Sequence, residues 1–289
     1  MKHLLVITLF LFLSACSGTK EIIEKPNTEP QVAEKSEQVV TKQTAQTKTN
    51  SKSTATTKIP EQTETVKPET PYEVSNTFNH TSWNTLLQKH VSQQGNVNYK
   101  GFKTDRKALT GYITKLGNHV PDNTWLKEDK LAYWINTYNA LTVDLILRHY
   151  PINTIKDIKD PWDQRYWKLG DKWYNLNEIE HDILRKMNDP RIHFAIVCAS
   201  FSCPKLQNKA FTSQTINSQL NAATKTFLSD PTRNEISKNN IKLSKIFQWF
   251  AKDFKQHGSL IDFLNIHSAI TISAKAKKSY KDYNWDLNE

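Results

Sequence analysis

The stretch EDKLAYWINTYNALTVDLILRHYP, residues 128–151, decides the fold. Its apolar residues recur at helical spacing and form a wide band: Leu131, Trp134, Ile135, Tyr138, Leu141, Leu145 and Ile146. A helix that is apolar over so much of its surface is expected to be buried. Proline cannot continue a helix, so Pro151 predicts its end. The sequence therefore predicts one long central helix around which the rest of the domain packs.

Two amide side chains lie within this apolar stretch. Asn136 and Asn139 are three residues apart, so they share one face of the predicted helix. Buried amides cost free energy unless they are hydrogen-bonded. They either cap a neighbouring backbone segment or line a cleft, where one could act as an oxyanion donor or orient a histidine.

The patterns around the central helix mix helices with short strands. Helical spacing recurs in residues 79–91, 104–119, 176–187 and 212–230, with Thr81 or Ser82 as a possible cap of the first and Asn175 or Asn177 as a possible cap of the third. Residues 95–102 are expected to form a turn and a short extended piece. Alternation around Gly170 and Asp171 predicts a β-hairpin, RIHFAIVCAS (191–200) is strand-like, and residues 239–254 predict a strand running into a helix. Without βαβ regularity, we expect an α+β single domain, rich in helix, with a small antiparallel sheet.

The first 71 residues predict export and a spacer. Residues 1–15 have a short basic start and an apolar run too short to span a bilayer, which indicates a signal peptide. LSAC, residues 13–16, resembles the lipobox of bacterial lipoproteins, and this resemblance implies lipidation of Cys16. Residues 16–71 are rich in Thr, Lys, Glu and Gln and have no aromatic residue, so they predict a disordered tether. The globular head is then 72–289, in a lipid-anchored protein of the cell envelope, expected at the outer membrane and facing the periplasm or the cell surface.

The charge of the chain lies mostly in the head. The net charge is +10, and the eight lysines of the tether are cancelled by its eight glutamates. A basic head could favour anionic surfaces or acidic substrates. Its lysines are scattered rather than clustered, so nucleic acid is not an expected partner. The expected partners are the membrane, through Cys16, and a peptide-like substrate or ligand.

Two cysteines of the head, Cys198 and Cys203, pose the main chemical question. Four roles are open for Cys198: a nucleophile, a disulfide with Cys203, a buried apolar thiol or a metal ligand. It precedes ASFSCP, residues 199–204, a small-residue turn of the kind that exposes side chains at a cleft. A nucleophilic cysteine needs an imidazole, a cation or a helix N-terminus to become a thiolate.

The candidate bases are His181 and His193. Glu178 lies three residues before His181 and could orient its ring, whereas the adjacent Glu180 points about 100° away around the helix. His193 and Cys198 are five residues apart and would face opposite sides of an unbroken strand, so His193 is a poor direct base for Cys198.

Other chemistry is less well supported. His181, His193, Cys198 and Cys203 match no common zinc spacing, and no phosphate loop, dinucleotide fingerprint or Gly-x-Ser-x-Gly elbow occurs. We therefore expect neither a metal nor a cofactor. Trp162 lies in a predicted loop, residues 160–170, that could form a substrate wall.

Five segments of the head resemble, in order, the DUF547 family, a domain of unknown function in bacteria and plants. They are SWNTLLQKHVSQQGNVNYKGF (82–102), YWINTYNALTVDLIL (133–147), LNEIEHDILR (176–185), HFAIVCASFSCP (193–204) and IFQWFAKDF (246–254). The resemblance implies distant similarity to papain-like and transglutaminase-like cysteine enzymes. It singles out Glu180 and His181 and adds Arg185. Some family members have serine where Cys203 stands, which implies that a disulfide is not a family property. The central helix has no cysteine at its start, unlike papain.

The leading hypothesis is a cysteine-dependent hydrolase of peptide-like amide bonds. In it Cys198 attacks, His181 accepts the proton of the thiol, and Glu180 or Glu178 supports the imidazolium. Asn136, Asn139, His193, Cys203, Arg185 and Trp162 are the further candidates for the cleft. The alternative is a non-catalytic module that keeps a Cys198–Cys203 disulfide and binds a peptide or glycan.

Overall fold

The computed structural model describes residues 78–289. The predicted signal peptide, the lipidation site at Cys16, the tether and the first residues of the predicted head lie outside the described residues. Within residues 78–289, no helix combines the length and the apolar character that crossing a membrane requires.

The described part of the chain contains eight α-helices and five short strands, together with short 3₁₀ helices and a π-helical turn. The helices are α1 (Thr81–His90), α2 (Tyr99–Thr104), α3 (Arg106–Asn118), α4 (Lys127–His149), α5 (Leu176–Glu178), α6 (Ile216–Ser229), α7 (Ile246–Trp249) and α8 (Leu260–His267). The strands are β1 (Trp167–Leu169), β2 (Lys172–Tyr174), β3 (Glu235–Ile236), β4 (Asn240–Leu243) and β5 (Lys277–Tyr280). The predicted α+β class is confirmed.

The central helix is α4, and it is buried as predicted. From Asp129 to Leu147, every side chain except that of Lys130 is buried. Its neighbours in the first hydrophobic core include α1, α2, α3 and the hairpin. A second core, rich in phenylalanine, packs α6, α7 and α8 around Phe194 and Phe247.

The strands form two small sheets. The hairpin of β1 and β2 is antiparallel and turns at Gly170, whose φ of +59° lies in the left-handed region that glycine tolerates. β4 pairs antiparallel with β3 and parallel with β5. The predicted hairpin is confirmed, and the second sheet is mixed.

Three local predictions require correction. Residues 190–194, from Pro190 to Phe194, form a 3₁₀ helix, and no strand occupies 191–200. The apolar residues that alternate in this segment, Ile192, Phe194 and Ile196, are buried, and so are the residues between them. Their period-two spacing therefore does not indicate one buried face of a strand. The turn and extended piece predicted at 95–102 are present only up to Val97, which forms a β-bridge with Val91, because α2 begins at Tyr99. Asn98 caps α2 by accepting from the amide of Gly101. The N-terminal residue of α1 is preceded by His80, and neither Thr81 nor Ser82 serves as a side-chain cap.

Candidate functional site

One cleft of about 360 Å³ contains both head cysteines. The Cys198 cleft, as we call it, lies between α4, the segment after α5, the loop around Cys198, α7 and the C-terminal residues. Its lining residues are Tyr138, Trp162, Asp163, Asn177, Glu180, His181, His193, Ile196, Val197, Cys198, Cys203, Pro204, Ile246, Trp249, Phe250, Tyr283 and Trp285.

The loop that carries Cys198 is held by hydrogen bonds before the cysteine and has a left-handed residue after it. Before the cysteine, the Asn139 amide donates to the carbonyl of Ala195 at 2.9 Å and accepts from the amide of Val197 at 3.0 Å. After it, Ala199 has a φ of +58°, a conformation that costs a non-glycine residue about 1–2 kcal/mol. Such strain is found where surrounding structure fixes the backbone, often at functional sites.

The Cys198 sulfur lies within hydrogen-bond distance of three polar side chains. The Sγ atom is 2.9 Å from the Cys203 Sγ, 3.1 Å from the Ser200 Oγ and 3.2 Å from the Tyr283 Oη. Burial raises the pKa of the Cys198 thiol, but hydrogen bonds from these groups more than offset burial and bring the pKa down to about 7. These hydrogen bonds therefore favour the thiolate form of Cys198.

Cys203 differs from Cys198 in exposure and in charge. Its side chain is buried, and both thiols are free in the structure. Burial and the hydrogen bond to Cys198 raise the pKa of the Cys203 thiol well above its ordinary value. Cys203 therefore stays protonated and can donate its S–H to a Cys198 thiolate.

Glu180 and His181 lie on a π-helical turn, Ile179–Leu184, that continues α5. Such turns are rare and are frequent at functional sites. The Glu180 side chain points inwards, and its Oε2 accepts a hydrogen bond from the Tyr138 hydroxyl at 3.1 Å. Burial raises the pKa of Glu180 to about 7, and a negative Cys198 contributes in the same direction. The site thus holds two acidic groups whose pKa values are shifted towards neutrality from opposite directions, that of Cys198 downwards and that of Glu180 upwards.

The His181 ring lies at the edge of the cleft and is exposed. Its Nδ1 accepts a hydrogen bond from Arg185 at 2.5 Å, so a neutral ring carries its proton on Nε2. Burial and the Arg185 charge lower the pKa of His181. Within the described residues, no imidazole nitrogen is hydrogen-bonded to the Cys198 sulfur.

His193 belongs to a buried ion-pair network. Its Nε2 is 2.8 Å from Asp253 Oδ2, and Arg185 donates to both carboxylate oxygens of Asp253 at 2.7 and 2.9 Å. The ring stacks on Phe250 with centroids 4.0 Å apart. Because no strand runs through this segment, His193 and Cys198 are not held on opposite sides, and both line the cleft.

The two amides of α4 do not line the cleft. Asn136 exchanges two hydrogen bonds with the backbone of Phe211, as Asn139 does with residues 195–197. Both side chains therefore cap a neighbouring backbone segment, which is one of the two roles left open for them, and neither lines the cleft. Glu178 also lies elsewhere, since it pairs with Arg165 through two hydrogen bonds and does not orient His181.

Aromatic side chains form one side of the cleft. The aromatic wall consists of Trp162, Trp249, Tyr283 and Trp285. Trp285 lies 4.5 Å from Tyr283, 5.8 Å from Trp249 and 6.0 Å from Trp162 between ring centroids. The sequence predicts Trp162 as a wall residue, and it lines the cleft.

Sequence reasoning missed Tyr283, Trp285 and Asp253. A signal for the first two was available: DYNWD, residues 282–286, places two aromatic residues at alternating positions in an otherwise polar terminus. Asp253 lies in segment 246–254, which resembles the family, but nothing in that segment indicates its partners, because only the fold brings it to His193 and Arg185.

The described residues contain no cluster of three or more His, Cys, Asp or Glu arranged to hold a metal ion. The Cys198 thiol and the Glu180 carboxyl group, whose pKa values are shifted towards neutrality, both line the aromatic cleft.

Fold and site define a helix-rich α+β domain with a cleft that contains two free cysteines. Residues 123–228 match the family model described as "Protein of unknown function, DUF547". The chain thus contains a DUF547 domain, and the matched range includes α4, Glu180, His181, Cys198 and Cys203. Neither a search of curated proteins nor one of solved structures found a match. The similarity to papain-like and transglutaminase-like enzymes stays a prediction.

Proposed function

We propose that the protein is a cysteine-dependent hydrolase of peptide-like amide bonds, with Cys198 as its nucleophile. One observation carries the proposal. Cys198 is partly buried in an open cleft, and three groups that can donate a hydrogen bond to a thiolate lie within 3.2 Å of its sulfur. Such donors stabilise a thiolate without an imidazole contact, and the thiolate is the reactive form of cysteine.

The reaction uses Cys198 and Glu180 in turn. The Cys198 thiolate attacks the amide carbonyl carbon, and a C–S bond forms. When the C–N bond breaks, the protonated Glu180 gives its proton to the departing amine. A water molecule then attacks the thioester carbon while the Glu180 carboxylate accepts a proton from that water, and the thiolate leaves. Glu180 suits both steps because its pKa of about 7 permits either form at neutral pH.

His181 has a different place in this proposal from the one that its sequence position suggests. A neutral ring whose Nδ1 accepts from Arg185 presents Nε2–H to its surroundings, and Nε2–H is a donor. In that form His181 can hydrogen-bond a substrate carbonyl. The role of His181 as the base for Cys198 stays a prediction, which variants at Glu180 and His181 also test.

The test uses p-nitrophenyl acetate, which reports acylation directly as nitrophenolate. The purified chain is expected to release a burst of one equivalent of nitrophenolate, followed by slower turnover. The Cys198→Ser variant should give no burst, whereas the matched Cys203→Ser variant should keep it. Stoichiometric labelling by iodoacetamide without reducing agent is also expected. If the unreduced protein has no free thiol, the scaffold alternative with a Cys198–Cys203 disulfide replaces this proposal.

Glu180→Gln separates the two halves of the reaction. Nitrophenolate leaves without a proton, so the burst should keep its size and nearly its rate. Hydrolysis of the acyl-enzyme needs a base, so steady-state turnover should fall by about 10²-fold or more. Glu178→Gln, which alters a carboxylate paired with Arg165 outside the cleft, should change neither phase. Full turnover in Glu180→Gln together with loss of turnover in His181→Gln would assign the base to His181.

We further propose that the head is carried on the cell envelope by a lipid on Cys16, which the LSAC sequence at residues 13–16 supports. In bacterial cells fed a clickable palmitate analogue, the chain should be labelled and should sediment with membranes. Cys16→Ser should abolish the label. Labelling of the Cys16→Ser variant, or a soluble unlabelled parent chain, would refute the anchor.

A further inference from the structure

The charges that line the Cys198 cleft do not match the charge of the chain. The chain carries a net charge of +10, yet the described residues lining this cleft include two carboxylates, Asp163 and Glu180, and neither lysine nor arginine. The two imidazoles of the lining are His181 and His193. Burial lowers the pKa of both, so they add no positive charge at neutral pH. The sequence-based expectation of an acidic substrate therefore does not suit this cleft.

The aromatic wall offers faces that attract cations. The Trp249 side chain is 46% exposed although it packs against Tyr283 at 4.8 Å and Trp285 at 5.8 Å between ring centroids. Aromatic faces carry partial negative charge, and several rings around one space form a cage for ammonium groups. Exposed tryptophan in the wall of a cleft is more consistent with a bound partner than with a packing role.

Two rings that line this cleft, those of Trp285 and Phe250, already lie close to cationic side chains. The Lys156 Nζ lies 4.0 Å from the centroid of Trp285, and the Arg185 guanidinium lies 5.3 Å from that of Phe250. Neither cation lines the cleft. Arg185 is neutralised by its two hydrogen bonds to Asp253. The side chains that line the cleft therefore bring no permanent positive charge to the exposed Trp249 ring.

We propose that the substrate is a cationic peptide segment, with an ammonium or guanidinium group seated on the aromatic wall opposite Asp163 while the adjacent amide lies at Cys198. This inference rests on the proposed function, since it takes Cys198 as the reacting atom. The Asp163 carboxylate is exposed and its Oδ1 accepts a hydrogen bond from Asn177 at 3.2 Å, which places it at the rim, within reach of an incoming cation. An anionic segment would meet the Asp163 carboxylate and the ring faces.

Charged thiol reagents can test this without knowledge of the substrate. The Cys203→Ser chain is treated with three methanethiosulfonates: the cationic trimethylammonioethyl, the neutral ethyl and the anionic sulfonatoethyl reagent. Each forms a mixed disulfide on Cys198 and releases methanesulfinate, and the hydroxyl that replaces the Cys203 thiol cannot displace the label. Rates are divided by those for N-acetylcysteine amide. We expect the order cation, neutral, anion, with cation and anion separated by about tenfold or more.

Two variants locate the effect. Trp249→Leu and Asp163→Asn should each reduce the preference for the cation over the neutral reagent. Trp173→Leu, which changes an equally exposed tryptophan (52%) on β2 outside the cleft, should leave it unchanged. In the unaltered chain, neutral iodoacetamide should outpace anionic iodoacetate after the same correction, which covers the case of a misfolded Cys203→Ser chain.

The outcomes separate this inference from the proposed function. If no reagent modifies Cys198, the nucleophile itself is disproved and the inference goes with it. If Cys198 is labelled but the cation is no faster than the neutral reagent, or iodoacetate matches iodoacetamide, the cationic substrate is rejected while the hydrolase proposal stands.

Discussion

The reactivity of Cys198 depends on the few atoms that donate to its sulfur. Because thiolate is the reacting form, alkylation by iodoacetamide should rise with pH and reach half its maximum near pH 7, where the thiol has its pKa. An ordinary cysteine would do so at about 8.5. The measurement is the pseudo-first-order rate of labelling from about pH 5 to about pH 10, a range that spans both values, with the modified residue identified by mass spectrometry.

Substitutions at Cys203 provide the control for that profile. Cys203→Ser keeps a hydrogen-bond donor beside the Cys198 sulfur, at a site where the two sulfurs now lie 2.9 Å apart, whereas Cys203→Ala removes it. The midpoint should stay near 7 in the serine variant and move to higher pH in the alanine variant. Equal midpoints in both variants would show that Cys203 does not stabilise the thiolate.

At the scale of elements, Asn136 and Asn139 of α4 each hydrogen-bond a neighbouring backbone segment, but only the segment bound by Asn139 leads to Cys198. Asn139→Ala leaves the Ala195 carbonyl and the Val197 amide without partners, and Asn136→Ala does the same to Phe211. Each loss should cost about 2–4 kcal/mol of unfolding free energy, since two buried polar groups are orphaned. Urea unfolding measures that cost. Only the Asn139→Ala variant should also slow Cys198 labelling, because Asn139 accepts a hydrogen bond from the amide of Val197, the residue before the cysteine.

The left-handed residue after the cysteine gives a second test at this scale. Ala199→Gly relieves an unfavourable φ, whereas Ala140→Gly places glycine in the middle of α4 at a cost of about 1 kcal/mol. Both methyl groups are fully buried, so the burial loss is matched. The Ala199→Gly chain should therefore be more stable than the Ala140→Gly chain by about 2 kcal/mol in urea unfolding. The reverse ranking would mean that the strain is absent.

The elements differ in how much of them could be predicted. The helical spacing of apolar residues and the proline at its end are enough to predict α4. The alternating pattern around Gly170 and Asp171 is enough to predict the hairpin. The π-helical turn was not predictable, because a helical wheel assumes a constant rotation per residue. That assumption paired Glu178 with His181, whereas the turn directs Glu180 inwards and leaves Glu178 to Arg165. The donors around Cys198 come partly from Tyr283, 85 residues away, and no local pattern encodes so distant a contact.

At the scale of the whole molecule, one buried carboxylate joins three of these elements. Asp144 of α4 is fully buried, and its Oδ2 accepts from the Trp167 indole of β1 at 2.8 Å and from Arg148 at 2.7 Å. Arg106 of α3 approaches its Oδ1 at 3.4 Å. A buried charge is tolerated only when it is satisfied in this way, so the group fixes the hairpin and α3 to one position on α4.

Removal of that carboxylate should loosen the domain. Asp144→Ala should lower the unfolding free energy by about 2–4 kcal/mol, because the Trp167 indole N–H, now buried without an acceptor, adds its own cost. In a Trp167→Phe background no N–H is orphaned, so the same substitution should cost about 1 kcal/mol less, and urea unfolding of the four proteins of this cycle measures the difference. Asp182→Ala, which breaks the exposed pair with Lys186, should change stability by less than about 0.5 kcal/mol. Additive costs at Asp144 and Trp167 would show that the carboxylate acts independently of the indole.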